Sequence, residues 1–155
     1  MKKITIILIL FLIDRFVKLY LVNLQENGID VDFYISSFLN IYLVWNTGIG
    51  FGLASLESNN VYHFLTIIIA FINIGLIYYL VKSKGIYSYF LSIVIGGSLG
   101  NLYDRIYFSA VPDFIDFHIK NFHWFVFNVA DIFITIGIIG LIIVELSKSK
   151  KDSVQ

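Results

Sequence analysis

Cysteine is absent from the chain, which excludes disulfides, thiol catalysis and thiolate metal sites together. Charge is scarce as well: Asp, Glu, Lys and Arg make up 14% of the 155 residues, where a soluble domain of that length carries about 25%. Bases and acids balance at 11 each, so the net charge is zero, and no nucleic-acid partner is expected. No internal repeat or low-complexity tract interrupts the chain. Its three histidines, His63, His118 and His123, have neither the spacing nor the carboxylate neighbours of a metal site. No metal and no cofactor is therefore expected.

What the chain has instead is apolar surface. Hydrophobic residues account for 58%, against roughly 45–50% in a soluble protein. The excess falls in four blocks, approximately 4–22, 61–81, 86–103 and 127–146, each near the ~20 residues needed to cross a bilayer. Little is left for a separate soluble domain. The expected fold is therefore mainly α and membrane-embedded: a four-transmembrane-helix bundle, with residues 1–155 forming a single integral membrane domain. The start, Lys2-Lys3 followed by apolar residues, resembles a secretory signal peptide. Asp14, Arg15 and Lys18 interrupt that run and no small-x-small cleavage site follows, so it is expected to be an uncleaved first span.

Basic residues set the orientation. Lys2 and Lys3 precede the first block, Lys82 and Lys84 separate the second and third, and Lys148, Lys150 and Lys151 follow the fourth. Positive residues beside spans favour the cytoplasmic side, which places both termini there and turns residues 23–60 and 105–126 outward. The first outward segment is long for a connection and rich in β-branched and aromatic residues such as Val31, Phe33, Tyr34, Ile41, Tyr42 and Trp45. With turn residues at Asn27-Gly28, Ser36-Ser37 and Asn46 to Gly50, it predicts a small extracytoplasmic β-rich segment. The second carries Phe108, Phe114, Phe117, Phe122, Trp124 and Phe125 and is expected to form a short interfacial loop or helix.

Polar residues near these spans form five constellations, each with a bland alternative. Asp14 and Lys18 lie one turn apart, as an intrahelical ion pair or with Asp14 steadying a group across the bundle. Asn46-Thr47-Gly48-Ile49-Gly50-Phe51 reads as a glycine-rich turn, which could also present backbone donors and the Asn46 amide to a ligand. Gly96 and Gly100 favour close helix approach, and Asn101, Asp104 and Arg105 follow on one face. That trio either ends a helix at the interface or braces a site. Asn128 and Asp131 share a face at the head of the last block, where Asn128 suits a helix cap and Asp131 the positive end of the helix dipole. Asp113, after Val111-Pro112, lies outside the spans, where it and Asp116 could be ordinary solvated aspartates. Yet an ionisable group at membrane depth costs about 2.5–3.5 kcal/mol. Two acids brought together there, Asp113 and Asp131, would share a proton and could hydrolyse a bond.

Together these pieces resemble the lipoprotein signal peptidases of bacteria, also called signal peptidase II, over nearly the whole chain. The matching residues are Asp14 and Lys18; Asn46, Gly48 and Phe51; Gly100, Asn101, Asp104 and Arg105; Val111, Asp113 and Phe114; and Phe127, Asn128, Ala130 and Asp131. Pro112 and Gly50 depart from the family pattern, which usually has a second valine and an alanine there. The resemblance implies an aspartyl endopeptidase of the bacterial inner (plasma) membrane, with Asp113 and Asp131 catalytic. Asp14, Lys18, Asn46, Gly48, Asn101, Asp104, Arg105, Asn128 and Ala130 would then shape or support the site. The implied substrate is a prolipoprotein cleaved just before a diacylglyceryl-modified cysteine, and cyclic peptides of the globomycin type would block the site. Membrane lipid is the implied surrounding, and a monomer could contain the whole site. Two rival classes stand beside this one. A transporter would place its polar residues along a path through the bilayer, and a non-catalytic assembly factor would have no use for paired acids.

Overall fold

The computed structural model describes residues 1–48, 59–120 and 122–152. Four long helices carry the mass: α1 (Lys2–Glu26), α2 (Asn59–Lys82), α3 (Gly85–Tyr107) and α4 (Val129–Asp152). Between them lie β1 (Asp32–Ser36) and β2 (Leu39–Asn46), and then β3 (Val111–Ile119) and β4 (Phe122–Phe127). The strands form one antiparallel sheet in the order β1-β2-β3-β4. Pairing of β2 with β3 thus joins two hairpins that are distant in sequence.

The bundle is turned inside out relative to a soluble protein. Its buried residues include Asp14, Arg15, Lys18, Asn73, Ser88, Ser92, Asn101, Asp104 and Arg105, while Leu8, Leu12, Phe16, Phe64, Phe71, Ile139 and Ile143 are exposed. Apolar side chains on the outside and charges within suit a hydrocarbon solvent. Among the described residues three helices are long and apolar enough to cross a membrane, at Asn60–Lys82, Gly85–Tyr107 and Val129–Ser149. Helix α1 has the length, 25 residues, but Asp14, Arg15 and Lys18 break its apolar run. All three of those side chains are buried against the other helices.

Helix α3 is the centre, packed against α1, α2 and α4. Glycine permits this. A Cβ at Gly97 would sit 2.5 Å from the Ala130 carbonyl oxygen of α4, and one at Gly100 would sit 2.5 Å from Asp14 Oδ2 of α1. Gly96 faces α1 in the same way, against Ile7 and Leu10. The small-residue spacing therefore does serve close helix approach, and Gly97 extends it to a second neighbour.

Instead of the short interfacial loop or helix expected in residues 105–126, the described residues beyond α3 form β3 and β4. In β3, Phe114, Asp116 and His118 are buried, whereas Phe117 and Ile119 are exposed, the period of two that defines a half-buried strand. The 23–60 segment does contain strands, β1 and β2. Phe114 of β3 packs on Leu21 and Val31, with Ile41 and Leu43 alongside. That cluster seats the sheet on the end of α1.

Candidate active site

The head of α4 organises the site. Asn128 Oδ1 accepts from the Asp131 backbone N–H at 3.2 Å, and Asp131 Oδ2 accepts from the Asn128 backbone N–H at 3.1 Å. This is a reciprocal capping box, with an aspartate in the third helical position. The next free donor at this helix end, the Ala130 backbone N–H, bonds to Asp14 Oδ1 of α1 at 2.9 Å. Asp14 therefore reaches across the bundle and holds the helix that carries Asp131.

The other half of the site comes from the sheet. Asn128 Nδ2 donates to Asp113 Oδ1 at 2.6 Å, and Asn46 Nδ2 donates to Asp113 Oδ2 at 2.9 Å. Asn101 Nδ2 of α3 donates to Asp131 Oδ1 at 2.8 Å. Each of the four carboxylate oxygens thus has one N–H donor, and Asn128 touches both acids. Asp113 is 4% exposed, so neither it nor Asp116, which is fully buried, is a solvated surface aspartate. Burial pushes the Asp113 carboxyl up to about 6, and the charge of Asp131 pushes the same way. Hydrogen bonds from Asn128 and Asn46, and the charge of Lys18, oppose the rise.

Behind the acids lies a charge cluster. Lys18 Nζ is 2.7 Å from Asp104 Oδ2, 3.0 Å from Asp14 Oδ2 and 2.7 Å from Asn101 Oδ1. Arg15 bridges Asp14 and Asp104 at 3.2 and 2.5 Å, and its guanidinium lies 4.9 Å from the Tyr103 ring centroid. Asp104 is therefore an internal ion-pair partner and more than a helix end. Arg105 donates to the Asn101 carbonyl at 3.3 Å and to the Gly48 carbonyl at 3.5 Å. Gly48 in turn gives its N–H to Asn46 Oδ1 at 2.8 Å, closing an Asx turn that orients the amide held against Asp113. Ile49, Gly50 and Phe51 of the same motif lie outside the described residues. Pro112 sits fully buried in β3, paired with Trp45.

The candidate site residues named from sequence thus fall in one region: Asp113 and Asp131 at its centre, with Asp14, Lys18, Asn46, Gly48, Asn101, Asp104, Arg105, Asn128 and Ala130 around them. Arg15 belongs to the charge cluster too, and its only sequence signal is its place beside Asp14 in an apolar run. An apolar cleft of about 240 Å³ opens beside Asp131, lined by Phe125, Phe127, Ile132, Thr135 and Ile136. The histidines need a correction. His118 and His123 do have a carboxylate neighbour, because β3 and β4 bring both rings to Asp116. That meeting depends on strand pairing, which residue spacing does not reveal.

The chain has known relatives. A family model described as signal peptidase (SPase) II matches residues 6–147. A lipoprotein signal peptidase from Pelagibacter ubique is 51% identical over 148 residues, covering 96% of this chain and 89% of the relative. One from Anaplasma phagocytophilum is 41% identical over 137 residues, covering 88% and 86%. A solved bacterial membrane enzyme, determined by the in meso method at 2.3 Å, has a TM-score of 0.78 at 29% identity, covering 97% of this chain and 90% of that one. Fold and relatives together define a membrane-embedded protease. The chain belongs to the signal peptidase II family.

Proposed function

We propose that this protein is an aspartic endopeptidase that removes the signal peptide from prolipoproteins by cleaving just before a diacylglyceryl-modified cysteine. The observation that carries the reading is the convergence of Asp113 and Asp131 on Asn128, in a chain whose relatives are named lipoprotein signal peptidases.

Two carboxylates bonded to the same asparagine hold one proton between them, with apparent pKa values that belong to the pair. The ionised member takes a proton from water as the water oxygen attacks the scissile carbonyl carbon. The protonated member gives its proton to the carbonyl oxygen. The carboxyl that took the water proton then gives it to the amide nitrogen while the other carboxylate takes a proton from a hydroxyl of the tetrahedral intermediate, so the C–N bond breaks, the amine leaves and the pair again holds one proton. Asn128, Asn46 and Asn101 position the carboxylates, and the charge cluster fixes α1 and α3 behind them. The apolar cleft beside Asp131 supports a substrate tethered by acyl chains, which makes attack effectively intramolecular.

For the membrane arrangement, α1 acts as a fourth span, its charges turned inward and its apolar face, including Leu8, Leu12 and Phe16, turned to lipid. The lysines at Lys2, Lys3, Lys82, Lys84, Lys148, Lys150 and Lys151 put both termini in the cytoplasm. The acids then lie near the outer leaflet of a bacterial inner (plasma) membrane, in a single membrane domain whose site is complete within one chain. Cyclic peptides of the globomycin type would compete for the same cleft.

The test is cleavage by the purified, detergent-solubilised protein of a prolipoprotein with and without its diacylglyceryl group, with the product N-terminus read by mass spectrometry. Cleavage of the lipidated form alone, leaving the modified cysteine first, is expected. Equal cleavage of both forms, or none by folded protein, would overturn the substrate assignment.

A further inference from the structure

A second cluster of chemistry-bearing side chains lies further along the strand that carries Asp113, and the proteolytic mechanism makes no use of it. Asp116 and His118 alternate onto one face of β3, and His123 of β4 stands opposite His118 in register. Asp116 Oδ2 is 2.8 Å from His123 Nδ1 and 3.3 Å from His118 Nδ1. The two imidazoles stack with centroids 5.0 Å apart. One potential ligating atom from each of the three residues lies within 4.8 Å of the others.

Three features set this cluster apart from an ordinary hydrogen-bonded group. Asp116 is fully buried, and its ion pairs among the described residues are with these two histidines, with no lysine or arginine. A buried carboxylate without a fixed cation is costly. His118 is 8% exposed, and its Nδ1 is a buried nitrogen with no hydrogen-bond partner although it points at Asp116. His123 is different, with its side chain 52% exposed. It stands at the edge of a groove of about 430 Å³ that Asp30, Asp32, Asn40, Tyr42 and Asp116 also line.

We propose that Asp116, His118 and His123 form a binding site for a divalent transition metal of the Zn²⁺ type, which clips β3 to β4. Zinc bonds to imidazole nitrogen and carboxylate oxygen are about 2.0–2.2 Å, so the edge of a tetrahedral site is roughly 3.3–3.5 Å. The Asp116–His118 separation of 3.3 Å already matches. The Asp116–His123 separation of 2.8 Å is shorter than that edge, and the half-exposed His123 ring is the side chain that would turn to meet the ion. Two imidazoles and one carboxylate suit borderline metals better than Mg²⁺ or Ca²⁺, which prefer oxygen alone. The ion would neutralise Asp116 and occupy the orphaned His118 nitrogen. The acids of the groove would attract it, and water from the groove would fill the fourth position.

The test uses full-length protein in detergent, with any histidine tag removed and metals stripped by chelation. Zn²⁺ binding is measured by equilibrium dialysis with elemental analysis, Co²⁺ serves as a spectroscopic probe, and the wild type is compared with His123→Ala, Asp116→Asn and the control His63→Ala. One Zn²⁺ per chain is expected, with Co²⁺ absorption showing four- or five-coordination and a thermal midpoint that rises on zinc addition. Affinity should fall at least about tenfold in His123→Ala and be unchanged in His63→Ala. His123 is exposed, so its variant should fold even if Asp116→Asn does not. A wild type that binds no more zinc than His123→Ala would overturn the proposal and leave the cluster a hydrogen-bonded one. Binding lost in His63→Ala instead would overturn it equally.

Discussion

At the scale of single residues, the site shows how asparagine sets up acids. Asn128 offers a side-chain donor to Asp113 and exchanges two hydrogen bonds with Asp131, so one residue fixes both carboxyls relative to the helix end. Asp113, held up at about 6 from an ordinary 3.8 mainly by burial, binds its proton more tightly folded than unfolded. Protonation therefore favours folding. The contribution is fully present below about pH 4, is lost as pH rises through 6, and amounts to on the order of 3 kcal/mol. Asparagine cannot ionise, so the thermal midpoint of the wild type relative to Asp113→Asn should fall between pH 4 and pH 7. A difference that stays flat over that range would contradict the placement of Asp113 in a buried, acid-facing position.

At the scale of elements, much of the arrangement was legible and some was not. The Asp14–Lys18 pair could be read from helical spacing, and the capping role of Asn128 from its place before an apolar run. Asp104 as the partner of both Arg15 and Lys18 could not, because the meeting of α1 and α3 is tertiary. The hairpin of β3 and β4 is not legible in the sequence, for a physical reason. Phe114 with Phe117, and Phe122 with Phe125, stand three apart, a spacing that suits a helix face as well as a strand. The turn between the strands takes Lys120 at φ 55°, a left-handed conformation that lysine does not advertise. The charge cluster makes its own prediction. Lys18→Met leaves Asp14 and Asp104 short of a cation and should cost about 3–5 kcal/mol of stability. Adding Asp104→Asn should recover part of that loss, so thermal unfolding of the double variant would show less than the sum of the single effects. Strict additivity would mean that the two residues do not form one network.

At the scale of the whole molecule, the chain joins two solvents. Helices with apolar outsides supply the membrane body, and the sheet brings Asn46 and Asp113 over the end of the bundle to meet Asn101, Asn128 and Asp131. Composition and block length were enough to read a membrane protein with long helices. They were not enough to show how the sheet, built from two segments distant in sequence, sits on the bundle. The motif residues were legible one by one, and their convergence came from the fold. The central claim is that Asp113 and Asp131 act as a pair, and the most direct test is turnover of a lipidated prolipoprotein by Asp113→Asn and Asp131→Asn separately. Each variant would be checked for membrane insertion and a cooperative thermal transition. The account predicts that both lose activity by about 10³-fold or more while staying folded. Turnover near the wild-type rate in either well-folded variant would contradict it.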